Sequence, residues 1–406
     1  MLNKPKFPKN EPVKLYRNLC ETVVSALKTI FEENRYADKV IEKILKQNPK
    51  YGSRDRKFIA ETTYDIVRWY RWLKEVSNAN DNDYWKWLGS WLIRKNIELP
   101  MWSEFKEIDA GAVSANFQKK YSLSIQQSIP DWLNDLGKEE LSLNWELQIT
   151  SLNEEARVVL RANTLKGTVK SIQDKLKVEG IETTNNLDFP YALILDKRMN
   201  VFGSKAFKSG LFEVQDAGSQ LIAPFLKVES GMRVIDACAG AGGKTLHLAA
   251  LMNNKGRIIA MDTEEWKLTE LKKRARRAGV SNVETRLIES AKTIKRLSGT
   301  ADRLLLDVPC SGLGVLKRNP DAKWKLSHDY IRKVIELQAT ILNDYSVMLK
   351  SGGMMVYATC SILPSENEKQ VARFLKSKSE FDLLEENHCW PSDGFDGFYM
   401  ALIKKK

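Results

Sequence analysis

The sequence contains few cysteines, and none of them are arranged to bind zinc or to form a disulfide framework. Its 406 residues include five cysteines, an odd number, and no Cys-x-x-Cys pair. A zinc knuckle needs closely spaced pairs and a small secreted disulfide fold needs an even set, so both classes are disfavoured. We therefore expect free thiols in a reducing compartment and no bound metal.

Long apolar segments are also missing. No stretch approaches the roughly 18 apolar residues of a membrane span, and residues 1–9 lack the apolar core of a secretory signal. The chain shows no internal repeat and no low-complexity tract. These features predict a cytoplasmic protein without a membrane partner, and we expect it to act as a monomer.

Basic residues outnumber acidic ones. Lys and Arg total 64 against 52 for Asp and Glu, which gives a net charge of +12. Such an excess favours a polyanionic partner, with nucleic acid as the leading candidate, although a generically basic protein has the same composition. The length exceeds that of a single hydrophobic core and predicts two or three domains.

The amino-terminal part of the chain has a helical pattern. From Leu15 to about Leu143 apolar residues recur at helical spacing, which predicts an all-α domain within residues 1–149. Arginines and tryptophans interleave between residues 54 and 72. They are either a basic, aromatic surface that faces RNA or core aromatics beside solvated charges, and the pattern leaves both open.

Residues 150–228 predict a small α/β connector domain. A strand is expected at 158–163, followed by a helix at 167–180 with Val178 among its buried residues. The apolar residues here form short consecutive runs and no longer recur only at helical spacing, which indicates that a new domain begins.

From residue 229 to residue 406, strands and helices alternate. The expected strands are 232–236, 257–262, 303–307 and 354–358, and the expected helices are 245–252, 265–278 and 328–349. Such alternation predicts a doubly wound, mostly parallel sheet, that is, a Rossmann-like α/β domain. Turns at Gly394 and Gly397 before an apolar run predict a terminal hairpin.

A glycine-rich loop, DACAGAGGKT at 236–245, follows the first of these strands and opens a helix. Its backbone can approach a ligand closely at a helix N-terminus. A P-loop needs glycine where Cys238 stands, and a dinucleotide fingerprint needs a third glycine that this loop lacks. An adenosine ligand without phosphate remains, since Asp262 at the end of the next strand can accept both ribose hydroxyls. S-adenosyl-L-methionine fits this pattern; the alternative is a structural glycine turn with a surface aspartate.

Two cysteines, Cys310 and Cys360, each follow a short apolar run that predicts a strand. Ligands of open α/β sheets bind in the crevice beyond the carboxyl ends of the strands, so the two thiols could face one pocket. A thiolate that adds to carbon 6 of cytosine makes carbon 5 nucleophilic enough to accept a methyl group, and loss of the carbon 5 proton with the thiol restores the ring. The spacing alone does not decide which cysteine attacks.

Together these motifs resemble the bacterial Sun/Fmu (RsmB-type) family of ribosomal RNA cytosine carbon-5 methyltransferases over nearly the whole chain. The segments that resemble the family are 236–244, DVPCSGLG at 307–314, RNPDAKW at 318–324, TCS at 359–361 with PSENE at 364–368, RANT at 161–164 and VQD at 214–216. Residues from Leu15 to Leu73 look like the family's helical domain, which is similar to the antitermination factor NusB.

The resemblance implies a role for each candidate site residue. Cys360 would attack carbon 6, Cys310 would assist release, and Asp307 would lie beside N3 of the cytosine and near the methionine end of the cofactor. Asp262 would bind the ribose, and Glu289 would lie near the adenine. The cofactor loop would consist of Cys238, Ala239, Gly240, Ala241, Gly242, Gly243 and Lys244.

Two positions depart from the family's usual residues. Glu289 stands where aspartate is usual and offers a longer side chain, and Ala241 stands where proline is usual and restores a backbone N–H. The implied activity is methylation of cytosine carbon 5 in RNA, with small-subunit (16S) ribosomal RNA as the expected partner and an unstacked base as the target. Methylation of transfer RNA or DNA uses the same chemistry, and a non-catalytic RNA-binding factor would share the basic charge.

Overall fold

The computed structural model describes residues 14–406, so residues 1–9, for which we predict no secretory signal, lie outside the described part. Within residues 14–406, every helix is too short or too polar to cross a membrane. The described residues divide into two compact units. The first comprises the described residues up to Glu139 together with Arg318–Leu326, and the second comprises the rest. The three-domain division remains a prediction.

The amino-terminal region is helical, which confirms the all-α expectation. Its helices are α1 (Arg17–Glu32), α2 (Ala37–Gln47), α3 (Ser53–Val76), α4 (Tyr84–Arg94), α5 (Ala110–Asn116), α6 (Leu123–Gln126), α7 (Asp131–Leu141) and α8 (Asn144–Leu152). Leu27 on α1, Ile66 on α3 and Leu88 on α4 are fully buried in one core. The four-residue spacing of apolar side chains therefore produces a packed face on each of these helices.

The tryptophans and the later arginines of α3 pack against neighbouring helices. Arg68 is only 8% exposed, and the guanidinium of Arg94 lies 4.4 Å from the ring centre of Trp69 and 4.7 Å from that of Trp72. These contacts support the interpretation as core aromatics. Arginine that packs on a buried ring produces the same alternation of basic and aromatic residues. Arg54 and Lys57 at the start of α3 are exposed, so an RNA-facing surface there stays a prediction.

The segment Arg318–Leu326 belongs to the helical unit although it lies far along the chain. Hydrogen bonds fix it there: Asp321 accepts from the Ala37 backbone N–H at 2.9 Å, Lys323 donates to the Arg68 carbonyl at 2.8 Å, and Trp324 donates to the Val67 carbonyl at 2.9 Å. Burial lowers the pKa of Lys323 well below its ordinary value. The family-like segment RNPDAKW thus contributes to the helical core.

The connector region forms an antiparallel sheet with the strand order β2-β3-β1-β4. Its elements are β1 (Val159–Ala162), α9 (Val169–Val178), β2 (Thr183–Asn185), β3 (Ala192–Leu195), α10 (Lys205–Lys208), β4 (Phe212–Val214) and α11 (Ala217–Phe225). The prediction that Val178 is buried is wrong, since that residue is 88% exposed. Leu176 is buried, and residues two positions apart do not share a helix face.

The remaining chain forms the expected doubly wound sheet, with helices between its parallel strands. Its elements are β5 (Arg233–Asp236), α12 (Gly243–Leu251), β6 (Arg257–Asp262), α13 (Glu265–Ala278), β7 (Val283–Leu287), α14 (Ala291–Lys295), β8 (Ala301–Asp307), α15 (Ala322–Lys325), α16 (His328–Tyr345), β9 (Leu349–Thr359), α17 (Glu368–Ser377), β10 (Phe381–Cys389) and β11 (Phe398–Lys405). Helix α15 lies in the Arg318–Leu326 segment of the helical unit. The Rossmann-like fold class is confirmed.

The order of this sheet is β10-β11-β9-β8-β5-β6-β7. Strands β5 to β9 are parallel, and β10 and β11 add the predicted terminal hairpin in antiparallel pairing. The chain runs from β5 outward to β6 and β7, then returns to add β8 and β9 on the other side. The point between β5 and β8 is therefore the topological switch point, where open α/β sheets form a ligand crevice.

Candidate active site

The carboxyl ends of the parallel strands bring the candidate residues to one edge of the sheet. Cys238 follows β5, Asp262 ends β6, Glu289 follows β7, Cys310 follows β8 and Cys360 follows β9. Because parallel strands end at the same edge, residues far apart in the chain become neighbours there.

The two cysteines face each other. The sulfurs of Cys310 and Cys360 lie 3.2 Å apart across a separation of 50 residues, and both side chains are half-buried. Gly314 permits this approach: its N–H donates to the Cys360 carbonyl at 2.9 Å, and a Cβ at this position would lie 2.2 Å from the Gly397 carbonyl oxygen. Only glycine at position 314 fits beside the backbone of Gly397 and of Cys360.

The contact between the sulfurs controls the protonation of Cys310. The hydrogen bond with Cys360 raises the pKa of Cys310 well above its ordinary value, and burial adds to the effect. The S–H form of Cys310 is therefore favoured. The pair can present one sulfur nucleophile and one S–H group at the same place.

Lys244 connects the glycine loop with the end of β8. Its ammonium donates to Asp307 Oδ2 at 2.7 Å. Burial acts to lower the pKa of Lys244, but the negative charges of Asp307 and Cys360 outweigh it and the pKa is raised. A lasting positive charge thus lies beside the thiols, and it holds Asp307, the carboxylate expected at cytosine N3.

The glycine loop is tied to the end of β6. Asp262 accepts from the Gly240 backbone N–H through Oδ2 at 2.9 Å and from the Glu264 N–H through Oδ1 at 2.9 Å. Gly242 has φ +87°, and a Cβ there would lie 2.5 Å from Leu271 Cγ, so this turn requires glycine. A Cβ at Gly240 would meet no atom within 4 Å. The backbone at Gly240 is therefore open to the approach of a ligand.

Two ionisable groups at the start of the loop are shielded from water: Asp236 is buried and Cys238 is half-buried. Asp236 is 1% exposed and accepts from Thr245 Oγ1 at 2.7 Å, and burial raises its pKa to about 7. Burial also raises the pKa of Cys238 well above its ordinary value. The floor of the loop therefore carries little charge below about neutral pH, which leaves Asp262 as the carboxylate at its rim.

Arginines hold the carbonyls of the loop. Arg161 on β1 is 3% exposed and donates to the Gly243 carbonyl, and Arg274 on α13 donates to the Ala241 carbonyl at 2.9 Å. Glu213 on β4 binds Arg274 at 2.9 Å. The sequence gives Arg161 only as part of a family-like segment, and its contact with the loop is found only in three dimensions.

A carboxylate that sequence reasoning did not assign lies beneath the cysteines. Glu366 is fully buried and accepts hydrogen bonds from Ser311 and Ser361, the residues that directly follow Cys310 and Cys360. The segment PSENE includes Glu366 and is the only sequence signal for it.

Glu289 is the most exposed of the predicted site residues. It follows β7, and the N–H of its neighbour Ile288 donates to the Asp262 carbonyl at 2.9 Å. The backbone therefore places Glu289 next to Asp262 at the sheet edge, while its side chain is exposed. This position is compatible with the rim of a cofactor site.

Comparison with known proteins shows which family this chain resembles. The model of the 16S rRNA methyltransferase RsmB/F family matches residues 223–403, and that of the RsmF/B-like ferredoxin-like domain matches residues 129–202. The probable ribosomal RNA small subunit methyltransferase B of Synechocystis sp. is 30% identical, over 93% of this chain and 97% of that protein.

Solved structures share the fold. The crystal structure of PH0851 superposes with a TM-score of 0.81 at 24% identity and covers 97% of this chain and 100% of that one. NSun6 from Pyrococcus horikoshii with SFG has a TM-score of 0.63 at 21% identity, covering 68% of this chain and 98% of that one. Because the family model matches residues 223–403 and the Synechocystis relative is 30% identical over 93% of this chain, the chain belongs to the RsmB/F family of 16S rRNA methyltransferases.

Proposed function

We propose that this RNA methyltransferase acts on carbon 5 of cytosine through a covalent bond between Cys360 and the base. The observation that supports this chemistry best is the 3.2 Å contact between the sulfurs of Cys310 and Cys360. A pair of thiols at the carboxyl edge of the sheet, beside an adenosine-type loop, suits a reaction that needs a sulfur nucleophile and a second sulfur at its release.

The methyl donor is S-adenosyl-L-methionine, which supplies an electrophilic methyl group. The loop 238–244 would hold it, with Asp262 at the ribose, Glu289 toward the adenine and Asp307 near the methionine end. Asp262 is already oriented by the Gly240 N–H, which keeps its carboxylate beside the loop. Arg161 and Arg274 keep the loop carbonyls in place.

The side chains divide the work on the base. Cys360 attacks carbon 6 as a thiolate, and its charge interacts electrostatically with the ammonium of Lys244. Asp307, oriented by Lys244, stabilises the adduct at N3. After carbon 5 is methylated, its proton leaves, the bond between sulfur and carbon 6 breaks, and Cys310 lies beside the departing sulfur.

Small-subunit (16S) ribosomal RNA is the proposed substrate, since the relative from Synechocystis sp. bears that substrate in its name. The base must be unstacked for a thiolate to reach carbon 6. A NusB-like helical domain at 1–149 and the connector domain at 150–228 would bind the RNA, and the domain at 229–406 would perform the chemistry. We propose that the protein does so as a monomer in the cytoplasm, where ribosomes are assembled.

A direct assay tests the reaction. The purified protein is incubated with labelled S-adenosyl-L-methionine and, in separate reactions, protein-free 16S ribosomal RNA, small subunits or transfer RNA, and the nucleosides are identified by mass spectrometry. We expect labelled 5-methylcytosine from at least one substrate. Absence of 5-methylcytosine from all three substrates would refute the proposal, and label in transfer RNA alone would assign the alternative substrate.

Variants of the two cysteines test their roles. Cys310→Ala should accumulate a covalent protein–RNA complex on denaturing gels, because the adduct forms and its release is impaired. Cys360→Ala should form no complex and should lose methylation by a factor on the order of 10⁴ or more. Cys389→Ala, a buried cysteine outside the site, serves as the control and should behave as the wild type. A complex with Cys360→Ala but not with Cys310→Ala would reverse the assignment.

A further inference from the structure

We propose that Glu366 is a positioning residue that holds the segments of Cys310 and Cys360 together, so that the two sulfurs stay in contact. This role rests on the proposed function, because it concerns the two thiols of that site. It goes beyond that function by assigning a residue that does not touch the substrate.

The carboxylate of Glu366 is fully buried and fully bonded. Oε1 accepts from the hydroxyls of Ser311 and Ser361 at 2.5 Å each. Oε2 accepts from the Ser311 backbone N–H at 2.8 Å and from the Gln338 side-chain amide at 2.9 Å. These donors match the four lone-pair sites of a carboxylate, and such charge-assisted bonds are strong and short in a dry interior.

The bonds join the two cysteine segments directly. Ser311 follows Cys310 and Ser361 follows Cys360, and their hydroxyl oxygens lie 3.2 Å from each other. A displacement of either segment would stretch a bond to Glu366 that the other segment shares. The carboxylate therefore couples the positions of the two sulfurs.

Glu366 is itself fixed from two sides. Its backbone carbonyl accepts from the Tyr357 hydroxyl on β9 at 2.7 Å. Gln338 on α16, which donates to the carboxylate, also donates to the Pro309 carbonyl just before Cys310 at 3.0 Å. The coupling is thus anchored to a strand and to a helix and does not rely on mobile surface groups.

The neighbouring buried side chain has a narrower role. Asn367 donates to the Ser361 carbonyl at 3.1 Å and accepts from the Thr359 hydroxyl at 2.5 Å. These contacts lie on the Cys360 side alone. Among the side chains described here, Glu366 is the carboxylate bonded to the residues after both cysteines. The length of its side chain, which lets it bond to both segments, is therefore the property to test.

The test compares Glu366→Gln, Glu366→Asp and Glu366→Ala with a matched control, Asp302→Asn. Asp302 lies at the opposite end of β8, where it accepts from the Arg233 N–H and pairs with Lys350. Glutamine keeps the reach of the side chain, whereas aspartate keeps the charge and is one methylene shorter. Side-chain reach and charge are thereby separated.

The first measurement reports the distance between the thiols and needs no RNA. Diamide, a diazene oxidant, takes two hydrogens from two nearby thiols and becomes a hydrazine, while the sulfurs form a disulfide. Peptide mass spectrometry measures how fast Cys310 and Cys360 are joined. We expect wild-type rates for Asp302→Asn, an intermediate rate for Glu366→Gln, and rates slower by roughly tenfold or more for Glu366→Asp and Glu366→Ala.

The second measurement reports the chemistry. Misplacement of a reacting group by about 1 Å can cost roughly 100-fold in rate, so kcat should fall by about that factor in Glu366→Asp. The dissociation constant of S-adenosyl-L-methionine should stay within about twofold, since the glycine loop has other supports. A purely structural role would instead lower thermal stability without separating these two quantities.

The outcomes discriminate clearly. Glu366→Asp with wild-type rates of crosslinking and methylation would overturn the positioning role, and so would slow methylation with unchanged crosslinking. If Glu366→Ala does not fold, Glu366→Gln and Glu366→Asp decide the matter. If crosslinking depends on Glu366 but the wild type makes no 5-methylcytosine, the proposed function fails while the positioning role stands.

Discussion

The glycine loop and the cysteine segments lie on the same edge of the sheet, yet groups of opposite charge hold them. Arg161 and Arg274 donate to carbonyls of the glycine loop. Glu366 instead accepts from the backbone N–H and hydroxyl groups beside the cysteines. Each region has its own buried support, so substitutions should separate binding of the cofactor from chemistry at the thiols.

Of the substitutions that test this separation, one in the support of the glycine loop should have the largest effect. Arg161→Met keeps much of the volume but removes the donor to the Gly243 carbonyl and to Gln215 Oε1. A buried acceptor left without a donor costs about 1–3 kcal/mol. We therefore expect S-adenosyl-L-methionine to bind roughly tenfold to a hundredfold more weakly by titration calorimetry.

The same variant should leave the thiols in place. Diamide should join Cys310 and Cys360 in Arg161→Met at the wild-type rate. Arg257→Met, which removes an exposed arginine on β6 paired with Glu284, serves as the control for cofactor affinity. Loss of crosslinking in Arg161→Met would mean that the two regions share one support.

The next effect concerns Asp236 beneath the glycine loop. Burial raises its pKa to about 7, so between about pH 4 and pH 7 the folded protein keeps a proton that the unfolded chain has lost. The free energy of unfolding should therefore fall as pH rises through this window, by up to about 1.4 kcal/mol per pH unit from this group. Asp236→Asn should remove that slope, measured by urea denaturation at about pH 5 and pH 7.

Asp302 provides a comparison of opposite sign. Burial opposes its ionisation, but the bonds from Lys350 and the Arg233 N–H prevail and lower its pKa. Its contribution to stability is present above the ordinary pKa of aspartate and is lost as pH falls through the lowered value. Asp302→Asn should thus keep the wild-type slope between about pH 5 and pH 7. Equal slopes in the wild type and Asp236→Asn would contradict the raised pKa of Asp236.

The smallest effect concerns the cysteine pair. The hydrogen bond with Cys360 is the main cause of the raised pKa of Cys310, ahead of burial. In Cys360→Ala the pH profile for alkylation of Cys310 by iodoacetamide should move to lower pH. The profile of Cys238, whose pKa burial raises, should not move. An unchanged Cys310 profile would show that the sulfurs do not interact in solution.

The sequence predicts those parts of the molecule that follow from local periodicity and from the geometry of parallel strands. Helix α13 lies at residues 265–278, as its apolar spacing predicts. The carboxyl ends of parallel strands meet at one edge of the sheet, so the sequence predicts Cys310 and Cys360 at that edge. The structure places their sulfurs 3.2 Å apart there.

The features that the sequence does not predict depend on contacts between residues distant in sequence, or lie in segments that mix polar and apolar residues. Glu366 bonds to Ser311 across 55 residues and to Gln338 across 28, and no local pattern reports such pairs. Strand β7 has the sequence Val-Glu-Thr-Arg-Leu and is only half-buried at the sheet edge. It therefore lacks the apolar run that predicts the other parallel strands.

The inclusion of Arg318–Leu326 in the helical unit has a consequence for dividing the gene. A fragment that encodes residues 140–406 would still contain Trp324 and Lys323 but would lack the Val67 and Arg68 carbonyls to which they donate. That fragment would leave Trp324 and Lys323 without the helices that cover them, at a cost in solubility as well as stability. The helical part therefore cannot be removed as a simple amino-terminal truncation, and the two halves would have to be produced together.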